Sequence, residues 1–248
     1  MRAFANTDVG STRKLNEDDY CVLQNENNDW LAVVCDGIGG AAAGEVASHL
    51  AISILRENFL KADAFTRDSQ VVEWIDSTLH IANDAIYAES MENKRERGMG
   101  TTCVGVIIAN HSTYIFNVGD SRIYADYDDG FIQMSEDHSV IGKLMREGKI
   151  SEEEAKTHSQ RNVLTNALGI WHVFPIDTNK IGSDYHYLLL CSDGLHGYVD
   201  KEDIEAVVRS KTYTLQEKVN ILISKSLQAG GYDNCTVILL ENDEVHYG

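Results

Sequence analysis

The chain has 248 residues, 43% hydrophobic and 24% charged, with 21 Lys and Arg against 39 Asp and Glu, for a formal net charge of −18. So acidic a chain repels phosphate backbones and anionic bilayers, which argues against nucleic-acid and membrane partners. The length supports a substantial core, and the composition excludes disorder.

Residues 1–20 lack the apolar stretch of a secretory signal, and the longest apolar runs, 30–35 and 187–191, are far too short to cross a bilayer. The expected location is the cytoplasm. Strands are expected at 20–24 and 31–35, where β-branched and aromatic residues gather. A helix is expected over 44–60, with Ala47, Leu50, Ala51, Ile54 and Leu55 on one side. A second is expected over 69–92, its apolar face read as Val72, Ile75, Leu79, Ala82 and Ile86.

Strand runs then follow at 102–109, 113–118, 122–127 and 130–134, with turns at Asn110-His111, Gly119-Asp120 and Asp128-Asp129-Gly130. This spacing predicts an antiparallel meander. Ser151 with Glu154 forms a weak capping box. A strand at 187–191 precedes a helix opened by the capping box Thr214–Glu217, with Leu215, Val219, Leu222, Ile223 and Leu227 on its buried side. A last strand covers 235–241. Grouped strands with one-faced helices outside them predict an α+β fold of antiparallel sheets covered by helices. With one proline, Pro175, and no linker or repeat, 1–248 reads as one domain. The five cysteines, Cys21, Cys35, Cys103, Cys191 and Cys235, are odd in number and lie in apolar runs, which predicts buried free thiols.

The informative acids are those at strand ends. The run 31–35 leads into Asp36-Gly37, 114–118 into Gly119-Asp120, and 187–191 into Ser192-Asp193-Gly194. Asp233-Asn234 precedes the last strand, and Glu17-Asp18 precedes Tyr20. One Asp-Gly is an ordinary turn. Carboxylates gathered at neighbouring strand ends repel each other and lose solvation unless a cation neutralises them. An oxygen-only donor set points to Mg²⁺ or Mn²⁺. Two such ions sharing a carboxylate activate water and clamp a phosphoryl group.

In this order and spacing the motifs resemble the metal-dependent Ser/Thr protein phosphatases of type 2C, in their compact bacterial form. The resemblance runs from Asp8-Val9-Gly10, Arg13 and Asn16-Glu17-Asp18 through Asp36-Gly37-Ile38-Gly39-Gly40 with Gly44-Glu45, then Gly98-Met99-Gly100-Thr101-Thr102. It continues through Val118-Gly119-Asp120-Ser121-Arg122 and Asp137-His138-Ser139 to Ser192-Asp193-Gly194-Leu195 and Asp233-Asn234-Cys235-Thr236. It implies two packed antiparallel sheets flanked by helices, with a metal centre at one edge. It also implies that Asp36 bridges two ions, that Glu17 and the Gly37 carbonyl complete one site, and that Asp193 and Asp233 complete the other. Asp18 orients metal-bound water, and Arg13 holds the substrate phosphate. A third, weaker ion involves Asp120 with help from Asp193. The resemblance further implies that the segment from about 140 to 169 is the family's mobile flap.

The implied chemistry is in-line attack of a metal-bridging hydroxide on phosphoserine or phosphothreonine, reversing the work of a Ser/Thr kinase. The implied partners are phosphoproteins and a cognate kinase, met by a monomer. Ile38 stands where eukaryotic members often carry a histidine, leaving a water at the metals to protonate the leaving alkoxide.

Rival readings remain at this level. Asp36-Gly37-Ile38-Gly39-Gly40-Ala41-Ala42 imitates a dinucleotide-binding turn, but 61–70 is polar where a second strand is needed. Ser121 reads as a turn serine rather than a nucleophile, and His138 as a structural hydrogen-bonding residue. The alternatives in function are a non-catalytic phosphoprotein-binding module and a phosphatase of small phosphate esters; retention of every ligand-type residue weighs against the first. Most of the acid excess is surface charge, whose field favours basic phosphopeptides.

Overall fold

The structure is a computed structural model describing residues 1–39 and 43–245; Gly40, Ala41 and Ala42 of the glycine-rich run lie outside the described residues. The strands are β1 (Arg2–Asp8), β2 (Asp18–Gln24), β3 (Trp30–Ile38), β4 (Gly100–Thr101), β5 (Cys103–Ala109), β6 (Ser112–Val118), β7 (Arg122–Tyr127), β8 (Gly130–Gln133), β9 (Asp177–Ile181), β10 (Tyr187–Cys191) and β11 (Cys235–Glu241). The helices are α1 (Ala43–Leu60), α2 (Asp68–Glu92), α3 (Val140–Arg146), α4 (Glu152–Thr157), α5 (Asp193–His196), α6 (Lys201–Val208) and α7 (Leu215–Gln228).

Two antiparallel sheets result, one ordered β1-β11-β10-β7-β8 and the other β2-β3-β5-β6-β9, with β4 on the end of β3. Strand alternation explains the layers. Leu31, Val33 and Cys35 face α1 and α2, whereas Ala32 and Val34 of the same strand face the other sheet. In β10, Leu188 and Leu190 enter the layer between the sheets, while Leu189 and Cys191 pack toward α6 and α7. Strands covered on both faces read as unbroken apolar runs, which is why they were legible.

The expected α+β fold of two helix-flanked antiparallel sheets is the observed one. Three details differ. The stretch 101–134 is not one meander: β5 and β6 pair in one sheet, β7 and β8 in the other, and the turn through Gly119 and Asp120 crosses between them. On α2 the buried face starts at Val71, and Val72 is 43% exposed, because a one-residue step turns the side chain about 100° around the helix. β1 and β9 escape an apolar-run criterion because both are edge strands with polar, partly exposed residues. All five cysteines are buried and free.

Candidate active site

Register gathers the acids. Asp18 lies directly opposite Asp36 across β2 and β3. Cys191 pairs with Val237 on one side and Arg122 on the other, so β10, β11 and β7 end side by side. Asp193, opening α5, Asp233, before β11, and Asp120, before β7, therefore leave the same sheet edge.

The first turn of α1 is seated against this edge. A Cβ on Gly37 would lie 2.1 Å from the Gly44 carbonyl oxygen and 2.6 Å from that of Glu17, so only glycine fits. The Gly37 N–H donates to the Glu17 carbonyl (3.0 Å), and the Gly44 N–H donates to Glu17 Oε1 (3.2 Å). Asn234 ties the same region together: its Oδ1 accepts from the Glu17 N–H (2.8 Å), and its Nδ2 donates to the carbonyls of Val9 and Leu15.

Asp18 is enclosed. Its Oδ2 accepts from the hydroxyls of Ser192 and Thr236, each at 2.7 Å, while its Oδ1 is buried with no hydrogen-bond partner. Burial pushes its carboxyl up to about 7, against those two hydroxyls. Burial, then the charges of Asp18, Asp193, Asp120 and Asp233, lifts Asp36 well above the usual carboxylate range. Burial and Asp233 raise Asp193 to about 6, while a hydrogen bond with Asp36 works the other way. Asp120 is raised by burial and by Asp193 and Asp137. Glu17 is also raised, chiefly by burial.

Arg13 reaches in from a solvent-exposed loop and donates from Nη2 to Asp233 Oδ2 at 2.6 Å. The structure thus brings Arg13, Glu17, Asp18, Asp36, Gly37, Asp120, Asp193 and Asp233 into one neighbourhood. Among the described residues, no group of three or more His, Cys, Asp or Glu side chains stands in metal-holding geometry. The donor chemistry nevertheless suits a hard divalent cation: half-buried carboxylates from separate segments meet at one edge, where burial and then their neighbours disfavour the charged form of Asp36 and Asp120, and the buried Asp18 Oδ1 has no donor.

Sequence reasoning assigned no role to several groups that shape the edge. Thr102 Oγ1 accepts from the Asp36 N–H (2.9 Å) and shares a 2.8 Å hydrogen bond with Ser121 Oγ, so Ser121 is fully enclosed, as a structural serine. The His196 imidazole, lowered to about 3 by burial and by Arg122, is neutral, and its Nε2–H donates to the Asp120 carbonyl (3.0 Å). Ser192, Thr236 and Asn234 flank the aspartates in sequence; that adjacency was the available signal. His138 is a hydrogen-bonding residue, as expected, with both ring nitrogens occupied.

Residues 11–229 match the family model described as "Protein phosphatase 2C". Among curated proteins, the chain is 38% identical to the serine/threonine phosphatase stp of Listeria monocytogenes serotype 4b, covering 100% of this chain and 98% of that protein. It is 32% identical to the protein phosphatase PhpP of Streptococcus pneumoniae, covering 96% of each. Among solved structures, the serine/threonine phosphatase Stp1 of Staphylococcus aureus superposes with a TM-score of 0.92 at 36% identity, over 97% of this chain and 94% of that one. The serine/threonine phosphatase PstP/Ppp of Mycobacterium tuberculosis gives 0.85 at 32% identity, over 97% and 99%.

Proposed function

Since the chain belongs to the protein phosphatase 2C family, we propose that it hydrolyses phosphoserine and phosphothreonine in proteins with Mn²⁺ or Mg²⁺ held by the acidic edge. The serine/threonine phosphatase activity comes with the family; the ions and the residue roles are the proposal. Glu17, Asp36 and the Gly37 carbonyl would hold one ion, and Asp36, Asp193 and Asp233 the other. Asp120, with Asp193, would serve a third. The observation that carries this assignment is the convergence of Asp18, Asp36, Asp120, Asp193 and Asp233, from separate segments, on one sheet edge, with Asp18 directly opposite Asp36 and one Asp18 oxygen left without a donor.

When bound, such ions activate water and neutralise charge that develops on the phosphoryl group. The protein's part is positioning. Ser192 and Thr236 aim the Asp18 carboxylate, leaving its other oxygen free to take a proton from, or orient, a water at the edge. Arg13, exposed and held by Asp233, offers a guanidinium fork to the phosphate oxygens at the mouth of the site. The α1–β3 contact at Gly37 and Gly44 keeps Glu17 against the edge. The reading takes 1–248 as one catalytic domain with a flap at about 140–169. It takes the protein as a cytoplasmic monomer acting on the phosphoproteins of a cognate Ser/Thr kinase. No helix among the described residues is long and apolar enough to cross a membrane.

The test is hydrolysis of an aryl phosphate and a phosphothreonine peptide in Mn²⁺ or Mg²⁺, repeated with excess chelator. Activity should vanish with chelator and return with added ion. Activity indifferent to chelator would overturn the metal assignment.

A further inference from the structure

Two tyrosines stand at the mouth of this edge with no part in the chemistry above. Tyr232 immediately precedes Asp233 and is 55% exposed. Tyr198 follows α5, the helix that Asp193 opens, with its N–H on the Leu195 carbonyl. Their ring centroids are 5.5 Å apart, with planes inclined at 38°. Each of the two segments that deliver the acids Asp193 and Asp233 therefore also delivers a ring, and the rings meet.

The backbone is built around this pair. Gly230 has φ +131°, and a Cβ there would lie 2.2 Å from the Tyr232 ring, so the turn leaves room for the ring to fold back over it. The next residue, Gly231, accepts at its carbonyl from the N–H groups of Ser11 (2.7 Å) and Thr12 (3.1 Å). The loop that carries Arg13 is thus bonded to the turn that carries Tyr232. The charges of Asp193 and Asp233, then of Arg161 and Arg13, act on the Tyr198 hydroxyl.

We propose that Tyr198 and Tyr232 form an aromatic rim that selects substrates carrying an apolar residue next to the phosphorylated serine or threonine. This rests on the active-site reading above. A phosphate drawn to Arg13 and to the ions that the acidic edge would hold brings its neighbouring residues over the exposed Tyr232 face. An aromatic surface that is already ordered and half solvent-exposed binds an apolar side chain at small entropic cost. The overall negative charge favours basic residues farther along the peptide.

The test uses phosphothreonine peptides that differ only in the residues flanking the phosphothreonine: leucine or phenylalanine, glycine, lysine, and aspartate. The wild type should favour leucine or phenylalanine over glycine by about five- to twentyfold in kcat/KM, mainly through KM. In Tyr232→Ala that ratio should fall toward one, and in Tyr232→Phe it should persist. Tyr198→Leu should reduce it in part. A wild-type ratio near one, preference for a lysine or aspartate flank, or a ratio unchanged by Tyr232→Ala would overturn the rim and leave the phosphatase reading intact. Failure to hydrolyse any of the peptides with either ion would overturn both.

Discussion

The backbone N–H of Gly119 donates to Nδ1 of His138 at 3.2 Å. Asn166 Nδ2 bonds the same nitrogen at 3.0 Å, so Nδ1 is an acceptor and Nε2–H donates to Asp177 Oδ2 at 2.9 Å. The main chain adds two bonds, from His138 N–H to the Gly119 carbonyl and from the Thr165 N–H to the His138 carbonyl. Both ends of the 140–169 segment are therefore fastened to the turn that carries Asp120.

Loss of Asp177 removes the partner that selects this tautomer. In Asp177→Ala the amides of 140–169 should exchange with deuterium about fivefold faster, the equivalent of one partly buried hydrogen bond of about 1 kcal/mol. Asp177→Asn, which keeps an acceptor, should stay close to wild type. Hydrogen-exchange mass spectrometry checks this, and unchanged exchange in the alanine variant would show that the latch does not hold the segment.

Repulsion at the edge predicts opposite effects on activity and stability. Burial and then the neighbouring acids disfavour the Asp36 carboxylate, so in Asp36→Asn turnover should be lost while the chelator-treated protein melts about 2–4 °C higher. Phosphopeptide hydrolysis with added ion measures the first half, and calorimetry of the chelator-treated protein the second. Near-normal activity in the variant would disprove the bridging role, and a lower melting temperature would disprove the repulsion.

Arg13 should act on substrate binding. The loss of a charge-assisted hydrogen bond costs about 1.5–3 kcal/mol, so Arg13→Ala should lower kcat/KM by at least about tenfold, with much of the loss in KM. Arg13→Lys, which keeps the charge but not the fork, should recover only part of it. Steady-state kinetics on a phosphothreonine peptide decide the matter.

Lys218 gives a stability prediction far from the site. Its ammonium is buried on α7, donates to the Val208 carbonyl at 2.6 Å and lies 3.8 Å from the Tyr187 ring centroid. Burial lowers it from 10.5 to about 8. Between those values the unfolded chain holds a proton that the folded chain has lost, so the Lys218 contribution to stability rises with pH across that window. Relative to Lys218→Met, the wild type should gain stability from pH 8 to pH 10.5 in urea titrations. A difference that stays flat, or falls, would contradict the buried-amine account.

The layered core was legible because burial on both faces leaves long apolar runs, as at Leu188–Cys191. The acids were legible because each follows or precedes such a run. The turn at Gly119–Asp120 crosses between sheets although its spacing is that of a meander corner, since local spacing carries no information about which sheet a strand joins. Strand β9 was missed because an edge strand needs no apolar side chains, yet it supplies Asp177 to the latch.

By itself, the sequence determined the fold class and the acids at the strand ends, which follow from apolar periodicity and residue identity along the chain, and its motifs in their order carried the resemblance to the family. Only the tertiary structure decided that Asp18 faces Asp36, that Ser192 and Thr236 aim one oxygen of Asp18, and that Tyr198 meets Tyr232. Those relationships join residues from about 20 to more than 200 positions apart, and they depend on strand register and on how the sheets and loops pack, quantities that no local pattern contains.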